Sequence, residues 1–188
     1  MQRPNEPISQ FLKGSIIRKL IIATWFVWLP FVPSSQVNTD SLWGVWSNED
    51  YSDEARLNAI GDMALKGFLR NNPDSAMMLA QMQGALSLKI GDMQHLAQAM
   101  NIQGRVHTFQ GDYKSALKVY TEALKINERV KDKRGAALTY RNLGTLYMEQ
   151  MDSAHCVEYF TQSLNLSKEV GDRTEEAYAN SSLGNVFY

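Results

Sequence analysis

The stretch AQAMNIQGRVHTFQGD, from Ala97, returns as ALTYRNLGTLYMEQMD from Ala137 and starts again as AYANSSLGNVFY from Ala177, at intervals of forty residues. Gly104, Gly144 and Gly184 share one column, His107, Tyr147 and Phe187 a second, and Ala97, Ala137 and Ala177 a third. A second segment repeats in step: SALKVYTEALKINERVKD from Ser115 matches HCVEYFTQSLNLSKEVGD from His155 and, more faintly, SAMMLAQMQGALSLKIGD from Ser75. A period of this length means a supersecondary unit that buries its apolar face only by stacking on its neighbours. From Ser52 onward proline occurs once, at Pro73, and apolar residues recur at helical spacing without sustained alternation. The body therefore reads as all-helical, each unit a pair of helices.

The columns carry a packing logic. A small residue at Gly104, Gly144 and Gly184 allows close approach of a neighbouring helix, with the ring three residues later filling the space beside it. Ala116 and Cys156 form another close-approach column, followed one turn later on the same face by Tyr120 and Phe160. Gly111-Asp112 separates the helices of one unit, while Gly91-Asp92 and Gly171-Asp172 separate successive units. Glycine suits a helix C-terminus and aspartate the next N-cap.

Tyr140, Leu143, Gly144, Tyr147, Cys156 and Phe160, together with Gly111, Tyr113, Ala116, Tyr120 and Ala123, resemble the tetratricopeptide pattern, in a long-unit form covering about Asp53 to Tyr188. Departures are Gln103 at a usual leucine, Ala64 and Ala80 in place of glycine and an aromatic ring, and no proline closing a unit. The resemblance implies an all-α, right-handed solenoid of antiparallel helix pairs, with units at about 52–91, 92–131 and 132–171 and an incomplete one at 172–188. The first unit is degenerate, as a terminal cap would be. The last lacks its second helix, which leads us to expect a frayed final turn or two and a chain that is a fragment of a longer protein.

Residues 1–36 differ from this body. Arg3, Lys13, Arg18 and Lys19 precede the apolar run LIIATWFVWLPFV at 20–32, which is shorter than a bilayer-crossing helix and contains Pro30. Basic flank, short apolar core and the small-neutral Val32 and Ser34 give the pattern of a signal peptide; a buried helix or an uncleaved N-terminal anchor are the other readings. Residues 37–51 read as a linker whose Leu42, Trp43, Val45 and Trp46 dock on the first helix.

Nineteen Lys and Arg against 20 Asp and Glu leave a formal charge of -1, which provides no broad electrostatic footprint for nucleic acid. Cys156 is the sole cysteine, so no internal disulfide and no cysteine-based metal site can form. It aligns with Ala76 and Ala116, as a small buried residue would, and no partner base accompanies it. His95, His107 and His155 lack metal-ligand spacing, and His107 falls in a ring column. Neither GxGxxG nor a P-loop occurs. Six methionines between Met63 and Met100 read as gap-filling core or as a pliant recognition surface. We expect no catalytic residue, cofactor or metal within the chain.

What remains is a surface. In tetratricopeptide arrays the first helix of each unit lines the concave groove, which here implies Asn101, Arg105, Arg141, Thr145, Ser181 and Asn185. Two guanidinium groups with amides and hydroxyls suit a carboxylate or an extended peptide backbone; the same residues would equally decorate a merely solvated face. The family's carboxylate clamp is not reproduced residue by residue. Leader, long period and degenerate first unit together resemble the N-terminal sensory region of bacterial membrane signalling proteins, whose adenylate or guanylate cyclase, histidine kinase or DNA-binding output would lie beyond residue 188. That implies an exported interaction or sensory module, non-catalytic in itself, with a protein or peptide partner and membrane association through the N-terminus or a downstream span. Two other classes fit the same repeats: a free-standing periplasmic or secreted binding scaffold, and a cytosolic adaptor resembling kinesin light chain.

Overall fold

The computed structural model describes residues 38–186; the leader at 1–36 and the column residue Phe187 lie outside them. All regular structure among the described residues is helical. Helix α1 (Thr39–Ser47) is followed by α2 (Asp53–Asp62), which continues into a π-helical turn (Met63–Phe68). Then come α3 (Pro73–Ile90), α4 (Met93–Phe109), α5 (Tyr113–Val130), α6 (Lys133–Glu149), α7 (Ser153–Val170) and α8 (Arg173–Val186). From α2 onward each helix packs on the next, and the alternate helices α2, α4, α6 and α8 also touch in sequence. The result is a stacked array whose first helices form one continuous row.

One turn design joins the helices from Gly91 on. Gly91, Gly111, Lys131, Met151 and Gly171 all adopt positive φ, between 57° and 80°, the left-handed conformation that ends a helix. An aspartate follows each time. Its N–H closes the preceding helix, as in Asp92 to the Ser87 carbonyl at 2.9 Å and Asp132 to the Asn127 carbonyl at 2.8 Å. Its carboxylate then caps the next helix, Asp112 Oδ1 accepting from the Ser115 N–H at 3.1 Å and Asp152 Oδ1 from the His155 N–H at 3.2 Å. Each such aspartate thus terminates one helix and initiates another.

Between the helices of a pair, the glycine column works as a socket. A Cβ on Gly104 would lie 2.3 Å from Tyr120 Cε1, and one on Gly144 would lie 2.6 Å from Phe160 Cδ1. Tyr120 and Phe160 are correspondingly buried, at 1% and 0% exposure. The first pair replaces this contact by Ala64 and Ala80, which pack with Ile60, Met63, Leu79 and Ile102. Leu42, Trp43 and Trp46 cover that cluster. They reach it from a helix rather than from the irregular linker expected over 37–51: Asn38 Oδ1 caps the Ser41 N–H at 3.0 Å, and the apolar residues fall on one helical face. Of the six methionines, Met63 is buried in this core and Met78 is exposed at 40%.

The socket predicts unequal effects within one sequence column. Gly144→Ala should lower stability by about 1–3 kcal/mol, the usual cost of overpacking. At Gly184, where the added Cβ meets no atom of the described residues within 4 Å outside its own helix backbone, alanine should be neutral or stabilising by up to about 1 kcal/mol. Urea denaturation of the two variants checks this, and equal losses would contradict the socket.

The capping aspartates predict acid lability. Hydrogen bonds from the Ser115 side chain and backbone hold Asp112 below the ordinary carboxyl range, and those from the His155 ring and backbone do the same for Asp152. At Asp172 the leading cause is the Arg134 guanidinium; at Asp92 burial opposes the shift, but bonds from His95 outweigh it. A carboxylate whose folded pKa is depressed stabilises above the unfolded value, near 3.9, and loses that contribution as pH falls through the folded one. The melting temperature should therefore fall steadily below about pH 4. Asp112→Asn and Asp152→Asn, which keep a capping oxygen, should shallow that decline.

Candidate ligand-binding cavity

The row of first helices encloses a cavity of about 310 Å³ between α2, the π-helical turn, α3, α4 and α6. Its volume is at the small end for ligand pockets. Leu65, Ile102 and Leu138 supply apolar wall, and the rest is polar: Arg105 and Arg141, Asp62, and the carboxamides of Asn58, Gln83, Gln98, Asn101 and Asn142. Three repeat units contribute.

Of the six residues expected in a groove, Asn101, Arg105 and Arg141 come together here. Thr145 sits beside the cavity, its hydroxyl donating to the Arg141 carbonyl at 3.1 Å. Ser181 lines a separate open depression with Arg173 and Tyr178, and Asn185 is exposed on α8 outside both. Asn101 also differs in character from a surface residue, being only 3% exposed. Its Nδ2 donates to Thr139 Oγ1 at 2.9 Å, and its Oδ1 accepts from Asn142 Nδ2 at 3.1 Å. Asn127 Nδ2 donates to the same threonine oxygen at 3.1 Å, while that hydroxyl donates to the Gly135 carbonyl at 2.8 Å. Asn101 is thus a structural strut joining α4 to α6, with α5 tied to the same threonine through Asn127, because an unpaired amide buried there would cost about 1–3 kcal/mol.

The two arginines are in different electrostatic states. Arg141 forms an ion pair with Glu175 of α8, which is 9% exposed, and its guanidinium lies 5.3 Å from the Tyr178 ring centroid. Arg105 is half-buried and has no hydrogen-bond or ion-pair partner among the described residues. Burial first, then the charges of Arg141 and Arg70, hold its guanidinium below the ordinary arginine value, against an opposing effect of Tyr120. Burial in turn pushes the Tyr120 phenol up to about 12. Positive charge is left uncompensated on the α4 side of the cavity.

Sequence reasoning passed over Gln83, a residue of the second helix of its pair. Gln83 is 1% exposed, and its Nε2 donates to the Leu57 carbonyl at 3.0 Å. That bond fixes which amide atom points where, leaving Oε1 buried without a partner. Two columns held the signal. Gln83 aligns with the small residues Ala123 and Ser163, while Gly61 aligns with Asn101 and Arg141. The exchange is compensatory, since a Cβ on Gly61 would lie 2.7 Å from Gln83 Nε2. Asn58, at the rim, faces His95, whose Nε2 lies 3.2 Å from Asn58 Oδ1 and whose Nδ1 lies 2.7 Å from Asp92 Oδ2.

The other reactive side chains stand apart. Cys156 is 1% exposed in the α6–α7 contact, and burial followed by the Asp152 charge pushes its thiol up. Tyr147 stacks on His155 with ring centroids 4.9 Å apart and on Tyr159 at 5.4 Å. No group of three or more His, Cys, Asp or Glu side chains is placed to hold a metal ion among the described residues.

Known proteins place this geometry in a family context. Residues 95–169 match the family described as Tetratricopeptide repeat. No curated protein matches the chain. Among solved structures, BtubC (BKLC) from P. vanneervenii superposes with a TM-score of 0.59 at 17% identity, covering 79% of this chain and 61% of that one. At that identity the likeness concerns the fold alone, and the match spans less than two thirds of the BtubC chain. The matched residues span α4 to α7, which are therefore similar to tetratricopeptide repeats, and such repeats imply a protein–protein interaction module.

Proposed function

We propose that the chain is the ligand-reading, non-catalytic segment of an exported or membrane-associated signalling protein, and that the cavity between α2, α4 and α6 is where it takes a protein or peptide partner. The observation that carries the binding site is the convergence of Arg105, Arg141 and the exposed carboxamides of Asn58 and Gln98, from three successive units, on one cavity. Amides paired with guanidinium groups offer both donors and acceptors to a peptide main chain and its acidic groups. The exported setting is supported by the basic-then-apolar pattern of residues 3–32. No helix among the described residues is long and apolar enough to cross a membrane.

Affinity capture with the full chain as bait tests the site. A partner retained by the wild type should be lost with Arg105→Glu, while the melting temperature of the variant stays within a few degrees of the parent. Arg141→Ala should behave differently: it also strips the buried Glu175 of its charge partner, so stability should fall together with binding. Retention of the partner by Arg105→Glu would remove the cavity from the reading.

Localisation has its own measurement. N-terminal sequencing of the protein made in its native cells should find a new terminus close after Ser34. A soluble cytoplasmic product beginning at Met1 would overturn the export reading.

A further inference from the structure

Arg141 and Arg105 line the same cavity, yet among the described residues only one of them has a counter-ion. Glu175 reaches Arg141 from the next unit. No carboxylate among the described residues reaches Arg105, which is nevertheless half-buried and close enough to Arg141 to feel its charge. Asp62, the one acidic residue of the lining, is paired instead with Lys66 at 2.8 Å. An uncompensated cation in a small cavity specifies the charge of its ligand, since leaving it unpaired is costly in a partly desolvated site.

We infer that the cavity reads a single glutamate or aspartate side chain within an extended peptide segment, the carboxylate pairing with Arg105. The ligand side chain does for Arg105 what Glu175 does for Arg141. A volume of about 310 Å³ suits one or two residues rather than a helix. Arg105 is the specificity-determining group, because a guanidinium favours a carboxylate over a neutral amide by a charge-assisted, geometrically matched pair. This reading rests on the proposed peptide-binding function and adds the chemistry of the residue read.

The probe is a set of acetylated, amidated pentapeptides, Ala-Ala-X-Ala-Ala with X as Glu, Gln or Lys, titrated into the full 15N-labelled chain at low salt and followed by amide and arginine Nε–H shifts. The Glu peptide should bind about tenfold more tightly than the Gln peptide and shift Arg105 Nε–H, and its affinity should fall with added salt. Arg105→Gln should abolish the preference, Arg105→Lys should keep part of it, and Arg105→Glu should invert it toward the Lys peptide. Binding of all three peptides with equal affinity would overturn the inference and leave peptide binding standing. Binding of none of them would overturn both, and tight binding only of a peptide with a free C-terminus, or only of free glutamate, would overturn the internal acidic residue as the group read.

Discussion

The array depends on a two-residue device, a left-handed residue followed by aspartate. Its backbone conformation stops one helix, and the aspartate both closes that helix with its N–H and opens the next with its carboxylate. Because the same device bounds these helices at both ends, α5 and α7 come out at 18 residues and α4 and α6 at 17. Equal helix lengths keep every unit in register with the last, so that side chains at equivalent positions fall in a row. A binding surface shared by three units requires that row. Lys131 and Met151 occupy the left-handed position where glycine would be unstrained, so the geometry is held there by the two helices on either side rather than by local preference.

Packing between helices is then settled by complementary size. Gly104 receives Tyr120 and Gly144 receives Phe160, each a contact that no residue with a Cβ could make without displacement. Apolar sockets set distance but are indifferent to small slides along the helix. Direction comes from polar groups: the buried cluster of Asn101, Thr139, Asn127 and Asn142 ties α4, α5 and α6 with bonds that survive in one register only. Arg134 with Asp172 at 2.6 Å and Arg141 with Glu175 extend the same tie from α6 to α7–α8. The exposed Arg134 pair adds little stability on its own, but Glu175 is buried enough for its pairing to matter.

The regular parts of this design were legible in the sequence because they repeat. Glycine, ring and aspartate columns give helix number, helix pairing and turn positions directly, and the all-helical array follows. What stayed hidden belongs to single positions. Asn101 stands on the helix face that lines the cavity, yet the neighbouring Thr139 and Asn142 draw its amide inward, a fact about three side chains that no column records. Helix α1 lacks any repeat equivalent, and its turn-forming and acidic residues gave it the look of a linker although Asn38 is a sound N-cap. Thr145, Ser181 and Asn185 share a helix face with Arg141 but not its surroundings, since the cavity closes between the first three units only.

That closure traces to the unit that conforms least. Where later units place Asn101 and Arg141, the first has Gly61; where they place Ala123 and Ser163, it has Gln83. The volume removed from α2 at Gly61 is filled from beneath by the longer side chain, whose amide donates to the Leu57 carbonyl and whose oxygen is buried. A regular unit in this place would have put a longer side chain at Gly61, opposite Arg105 and Arg141, and left less space. Irregularity in a repeat is commonly attributed to a capping role; here the departure at Gly61 also makes room for the cavity whose charge Arg105 and Arg141 set.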